Sequence, residues 1–433
     1  MEHFEAAFAR IAGRFTRVEP RRRARAYLLG LLGLLADVET RSCWQLAEHA
    51  GETSPHGMQR LLAEAVWDPD AVRDDLRSYV AHELGDPRAV LVIDDTGDLK
   101  KGVHSVGVQR QYTGTAGRIE NSQVAVFLGY ATTGGGYTLI DREIYLPRSW
   151  TDQPRRCAAA GVRSRCGSLP RSRWRGGCSP GPFRLVSRPG GPPRTSSTAV
   201  TGICGGICRP AVWATCWRWP RATGSTTCTP LGPTRADRVA AGLTRRCWNR
   251  RSAGDGSKGW REYDWAWVRL DPPPDEDGGH HFLLVRRGRR DGKLAFYRCW
   301  SPRPVSLREL VAVAGRRWSI ATCFQTGKGL GLDEHQVRRW GSWYRHTTLV
   351  MLAHAVLAVI AAHERARPAD ADESLVPLSI NEIRRLLARL ALNTVHSIAH
   401  WLGWSHWRRR HQQRARTSHY RRRGQLTHRA APT

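Results

Sequence analysis

The chain has 433 residues, more than a single hydrophobic core usually serves, so two or three structural units are expected. Its formal net charge of +30 and sequence pI of about 10.9 exclude the charge balance of an ordinary cytosolic enzyme and point to a polyanionic partner, nucleic acid first. A GC-rich coding sequence also raises Arg, Ala, Gly and Pro together, and both effects can act at once.

Met1–Arg21 carries acids and arginines where a signal peptide has an apolar core, so a cytoplasmic, nucleoid-associated protein is expected. In that compartment the eleven cysteines argue against a disulfide framework. Residues 1–85 read as helical. Ala24–Ala36 is an apolar helix behind the basic run Arg21–Arg25, and Trp44–His49 begins another that Gly51 stops. Ser54-Pro55 supplies an N-cap and a first-turn proline for Pro55–Glu64, giving either a helix-turn-helix or a plain helical bundle.

From Ala89 the pattern changes. AVLVID is a continuous apolar run that ends on Asp94 and Asp95, as a buried strand delivering acids to a sheet edge would. Gln123–Tyr130 and Tyr137–Tyr145 continue as strands, so residues 86–161 begin an α/β domain. Over 232–305, Tyr263–Leu270, His281–Arg287 and Leu294–Trp300 are short strands between turn-rich loops, which reads as a β-rich insertion. Helices return over 306–400, through Val350–Arg365 and Asn381–Leu392. Leu349–Ala362 is strongly apolar but too short for a span and flanked by charge, so a buried helix and no membrane contact are expected. The tail, 401–433, is rich in Arg and His, and Trp407–Arg423 is expected to be poorly ordered without a polyanion.

Residues 162–231 do not read as selected protein. Apolar periodicity vanishes there, and six of the eleven cysteines crowd in with Trp, Ser, Arg and Pro. Reverse-translating Arg194–Thr201 with free third bases and reading across the codon boundaries permits Asp-Glu-Phe-Tyr-Gly-Gly-Asp. The same shift over Val212–Pro220 permits Leu-Gly-Tyr-Val-Leu-Ala-Val-Ala, a buried strand. A frameshift opening near Val162 and closing near Gly232 accounts for both, and the intervening stretch is expected to be disordered and to leave the sheet without one strand. Cys204, Cys208 and Cys216 resemble a zinc site in spacing, but lie inside this stretch and read as coincidence.

The acid pair at the end of the first strand suits a divalent cation, because hard ions want carboxylate oxygens held rigidly. The alternative is a solvated strand terminus. Farther on, Arg317 to Lys328 (RWSIATCFQTGK) is helix-compatible and is followed by Gly331-Leu332-Asp333. Here the chain resembles the DDE transposases of bacterial insertion sequences, whose third acidic motif reads Tyr, two residues, Arg, three residues, Glu, six residues, Lys. Arg317 and Lys328 fall on the Arg and Lys of that spacing, Ala321 on the Glu and Ala314 on the Tyr. The resemblance extends to IDDTG around Asp95, to Gly107–Asn121, to HHFLLVRR and to Trp340–His354.

What the resemblance implies is an RNase H-like catalytic domain that uses Mg²⁺ or Mn²⁺ to cleave and join DNA at terminal inverted repeats, as a homo-oligomer on paired ends. By the same resemblance Asp95 is the first metal ligand, with Asp94 the second choice, and Arg317 and Lys328 accompany the site. The second acid would be the Asp hidden beneath Arg194–Thr195, and the third is absent because Ala321 stands in its place. Asp333 and Glu334, some three helical turns along, are not expected to replace it. The chain therefore reads as a broken copy with impaired metal binding. A catalytically dead DNA-binding protein or repressor at transposon ends, or a pseudogene product, is the alternative. DNA contacts are expected from Arg21, Arg22, Arg23, Arg338, Arg339, Arg408, Arg409 and Arg410. Trp318, Trp340 and Trp343 could stack on bases, but core packing suits them better.

Overall fold

Helices open the chain because apolar residues recur at helical spacing. In α1 (Glu2–Ala12), Phe4, Ala7, Phe8 and Ile11 form one buried stripe. It is followed by α2 (Val18–Gly33), α3 (Cys43–His49), α4 (His56–Ala63) and α5 (Pro69–Leu84). Gly51 ends the α3 segment at φ +75°, a conformation that favours glycine. Ser54 does not cap α4; Pro55 holds that position, with no side-chain cap bond. A complete cap opens α5 instead, where the Asp68 carboxylate accepts from the Asp70 N–H and Pro69 begins the helix. The structure, a computed structural model, describes residues 1–33, 41–162, 198–201, 214–219, 226–229, 232–256, 259–271, 279–335, 338–366, 378–388 and 396–422.

The α/β part begins with β1 (Val90–Leu99), β2 (Gln109–Thr113), β3 (Arg118–Ala131) and β4 (Tyr137–Ile144), followed by the short helices α6 (Arg148–Thr151) and α7 (Pro154–Ala159). Then come β5 (Thr198–Thr201), β6 (Ala214–Trp219), β7 (Thr226–Thr229), β8 (Gly232–Arg235) and α8 (Ala236–Ala241). Four long strands follow: β9 (Asn249–Gly256), β10 (Gly259–Leu270), β11 (His280–Gly288) and β12 (Leu294–Ser301). The chain closes on α9 (Leu307–Arg316), α10 (Trp318–Gly329), α11 (Trp340–Ala366), α12 (Ile380–Leu386) and α13 (Ile398–Arg422). This is a mixed α/β architecture.

The main sheet runs β2-β3-β1-β5-β6-β12-β11-β10-β9, with β4 on the far side of β3. Each pairing in it is antiparallel. The strands between 249 and 301 extend the sheet of β1. One expectation is corrected here: the sheet does not lack a strand beside β1, because Leu91, Val92 and Ile93 pair with Val200, Ala199 and Thr198 of β5, and β6 joins β5 to β12. Ladder bonds come from the backbone, so a segment without apolar periodicity can still fill a gap between two strand edges. The remainder of the suspected out-of-frame stretch, with Cys204 and Cys208, lies outside the described residues.

Helix α11 is the axis of the helical layer. Its residues from Thr347 to Val359 are buried on every side, packed against α1, α2, α4, α5 and β4. It is the one described helix long and apolar enough to cross a membrane, and 83% of its apolar window lies inside the protein. A capping box starts α9, with Ser306 and Glu309 satisfying each other's backbone N–H groups. Residues 407–422 depart from expectation, because α13 is helical to Arg422. Its first turns are anchored: Trp404 is buried and donates to Glu52 O at 2.8 Å, and Trp407 meets Trp44 edge to face with centroids 4.7 Å apart. A few anchors at helical spacing hold a helix that its composition alone would leave unsupported.

Candidate active site beside β1

Side chains alternate along a strand, so Asp94, Thr96 and Asp98 share one face of β1 while Asp95 and Gly97 take the other. Register places Phe127 of β3 opposite Asp94, Ala125 opposite Thr96 and Gln123 opposite Asp98. Helix α10 crosses this face. Phe324 meets Phe127 edge to face at 5.6 Å between centroids, and a Cβ at Gly129 would come within 2.7 Å of Ile320 Cδ1. A small pocket opens there, lined by Thr96, Asp98, Gln123, Lys328, Asp333 and Trp343 among others.

Arg317, Ala321 and Lys328 are spaced so that one helical stripe carries all three. Both basic ends reach the β1 face. Arg317 acts on the Asp94 carboxyl through its charge and lies over the Tyr297 ring at 5.8 Å. Lys328 Nζ donates to Thr115 Oγ1 at 3.3 Å and lies 3.7 Å from Asp333 Oδ2. Thr115 in turn donates to Gly97 O at 2.8 Å, tying the lysine to β1 itself. Ala321 lies between them on the stripe and is exposed.

Burial dominates the electrostatics. Asp94 is pushed up to about 7 by desolvation and by the neighbouring Asp95 charge, against the Asp95 N–H, which donates to it at 3.0 Å, and Arg317. Asp98 is pushed up to about 6 by burial, opposed by its ion pair with Lys100. Lys100 also donates to His335 O at 2.8 Å, which ties β1 to the loop after α10.

The sequence-predicted residues are thus only partly brought together. Asp94, Arg317 and Lys328 share a face; Asp95, the first choice for a ligand, is on the opposite one. A strand presents adjacent residues to opposite sides, so position next to Thr96 could not decide between the two acids. Sequence reasoning also missed Asp98, which the alternation Asp94-x-Thr96-x-Asp98 signals. It likewise kept Asp333 away from the site by measuring along a straight helix. Gly331, at φ +91°, turns the chain back so that Asp333 returns to Lys328.

Of the arginines expected on DNA, Arg21, Arg22, Arg338, Arg339, Arg409 and Arg410 are exposed. Arg22 is nonetheless engaged with Glu19 and Glu52, and Arg23 with Glu19. Arg408 grips both oxygens of Glu48 at 2.7 and 2.8 Å, an internal clamp between α13 and α3. Trp340 and Trp343 are core residues, as expected, whereas Trp318 is 60% exposed.

Residues 10–173 match the family model of the DDE superfamily endonucleases. A protein of Microchaete diplosiphon named "Probable transposase for insertion sequence element IS701" is 30% identical over 117 residues, which is 27% of this chain and 30% of that relative. The family segment contains β1 with Asp94 and Asp95, and it ends before α10.

Enzymes of this superfamily generally use divalent metal ions, which need several carboxylate oxygens converging on one point. Among the described residues Asp94 faces α10, Asp95 faces away, Asp98 is held by Lys100, and position 321 carries no oxygen. These residues by themselves do not fit such an ion pair. In sequence, residues 10–173 of this chain are similar to the DDE superfamily endonucleases, and the chain spans less than a third of the length of the insertion-sequence transposase relative it matches.

Proposed function

We propose that this chain is a degenerate insertion-sequence transposase, which binds duplex DNA at the terminal inverted repeats of its element but has lost DNA cleavage and strand transfer. The observation that carries this reading is the stripe on α10. Arg317 and Lys328 occupy the two basic positions beside the β1 acids, and the residue between them, where the family motif has its glutamate, is Ala321. The missing second acid fits the same history, because the frame hidden beneath Arg194–Thr201 permits an aspartate where the translated chain has none. The meander of β1, β3 and β4 with α10 and α11 across one face supports an RNase H-like core.

Asp94 is the residue we assign to the first ligand position, since it is the acid that faces Arg317 and α10. Arg317 and Lys328 then serve to hold phosphate oxygens by charge. The net charge of +30 favours retained DNA binding, which suits a repressor-like occupant of transposon ends working as a homo-oligomer on paired ends.

Repair tests the reading. Restoring the hidden frame between 162 and 231 together with Ala321→Glu should return Mg²⁺- or Mn²⁺-dependent nicking at the element's ends, and each change alone should fail because the acids act together. Asp94→Ala in the repaired protein should abolish nicking and leave DNA binding nearly unchanged. A repaired protein that folds and binds its ends without metal-dependent nicking, or that nicks equally well without Asp94, would overturn the assignment.

A further inference from the structure

Three helix ends meet and bring two imidazoles and a carboxylate together. His3 is in the first turn of α1, Glu83 in the last turn of α5, and His363 in the last turn of α11. His3 Nε2 and His363 Nδ1 are 3.2 Å apart, with the rings inclined at 67°. The Glu83 carboxylate lies 3.7 Å from His363 Nε2 through Oε2. One ligand-type atom from each of the three residues falls within 4.8 Å of the others, a grouping that no other His, Cys, Asp or Glu trio among the described residues makes.

We propose that His3, Glu83 and His363 form a binding site for a borderline transition-metal dication of the Zn²⁺ class, which ties α1 to α5 and α11. The separation of the two imidazole nitrogens is what a tetrahedral ion requires: with metal–nitrogen bonds of roughly 2.0–2.1 Å, two ligands stand about 3.3 Å apart. Two imidazoles and one carboxylate are also the ligand softness that favours Zn²⁺, Ni²⁺ or Cu²⁺ over Mg²⁺ or Ca²⁺. The 3.7 Å contact of Glu83 is to the other ring nitrogen of His363, so the carboxylate must turn toward Nδ1 to complete the site.

The surroundings already hold the ligands. His82 Nδ1 lies 2.9 Å from Glu83 Oε1 and fixes the other oxygen of the carboxylate, the outer-shell arrangement that orients metal-binding groups. The Tyr79 hydroxyl donates to His3 O at 3.5 Å and pins the backbone beneath the ligand. The three side chains are neither exposed tips nor sealed core, so an ion can enter.

The full chain, stripped with a chelator, is titrated with Zn²⁺ while its thermal midpoint is followed, and with Co²⁺ while visible absorption is followed. One equivalent of either should saturate the response, Zn²⁺ should raise the midpoint, and Co²⁺ should give the intense bands of a low-coordinate site. His3→Gln and His363→Gln, which keep amide hydrogen bonding without an imidazole, should each remove the one-equivalent Co²⁺ absorption. His82→Ala should keep it with roughly tenfold weaker affinity or more. Circular dichroism confirms that the variants remain folded; should either Gln variant fail that check, Glu83→Gln replaces it, with the same expected loss. A wild-type chain that shows no one-equivalent response, or ligand variants that bind Co²⁺ as tightly as wild type, overturns the proposal.

Discussion

Glu143 on β4 shows how much a single buried group can decide. Its carboxylate accepts from the Tyr344 hydroxyl at 2.6 Å, yet burial pushes it up to about 7, and the Tyr344 hydrogen bond and Arg142 do not reverse that. The folded-state value lies above the unfolded one, so the group's contribution is fully present below about pH 4.5 and is lost as pH rises through about 7. Glu143→Gln should therefore be close to neutral at pH 5 and stabilising relative to wild type at pH 8, by on the order of 1–3 kcal/mol. Urea unfolding of both proteins at the two pH values checks this; an equal difference at both would rule out titration of Glu143 as the cause. Buried His346 and His354, depressed to about 4 by desolvation, work in the opposite sense and cost stability as pH falls below about 6.5. Both proteins carry these histidines, so the comparison cancels them. The same residue-scale logic separates Asp94 from Asp95, which composition treats alike and strand geometry sets on opposite faces.

Elements were legible where their periodicity was strong. AVLVID, Gln123–Tyr130, Tyr137–Tyr145 and the three strands between Tyr263 and Trp300 are all found as strands, because apolar runs bounded by turn residues need no tertiary information to be recognised. The glycine stop at Gly51 is likewise local chemistry. What failed at this scale depended on partners distant in sequence. Helix α13 forms because Trp404, Trp407 and Arg408 find Glu52, Trp44 and Glu48, and β5 forms because β1 offers it an edge. Close packing between elements gives a direct test. A Cβ at Gly315 in α9 would stand 2.3 Å from the backbone carbonyl oxygen of Ala253 in β9, with no flexible side chain to yield. Gly315→Ala should destabilise the protein by about 1–3 kcal/mol, read as a lower unfolding midpoint. A midpoint unchanged from wild type would mean that α9 does not sit against β9 in this way.

At the scale of the whole molecule, charge governs the partner and the core governs the shape. The arginines that bracket α3, from Arg21 on α2 to Arg410 on α13, are partly spent on internal ion pairs, yet a net charge of +30 leaves a large excess for phosphate. DNA binding should accordingly fall steeply with salt: if six to ten phosphates are contacted, affinity drops by roughly 10³–10⁵ between 50 and 200 mM. Fluorescence anisotropy with a labelled duplex measures the slope, and an affinity flat across that range would remove nucleic acid as the reason for the charge.

The sequence by itself determined the basic character, the strand and helix patterns, the resemblance to DDE transposases and the alanine at position 321, because each is written in local composition or spacing. Tertiary structure alone decided that Asp94 faces α10, that Asp98 and the returning Asp333 join Lys328, that the late strands extend the sheet of β1, and that His3, Glu83 and His363 meet. These depend on side-chain direction and on contacts between residues far apart in the chain, which burial and pairing fix and which no local pattern encodes.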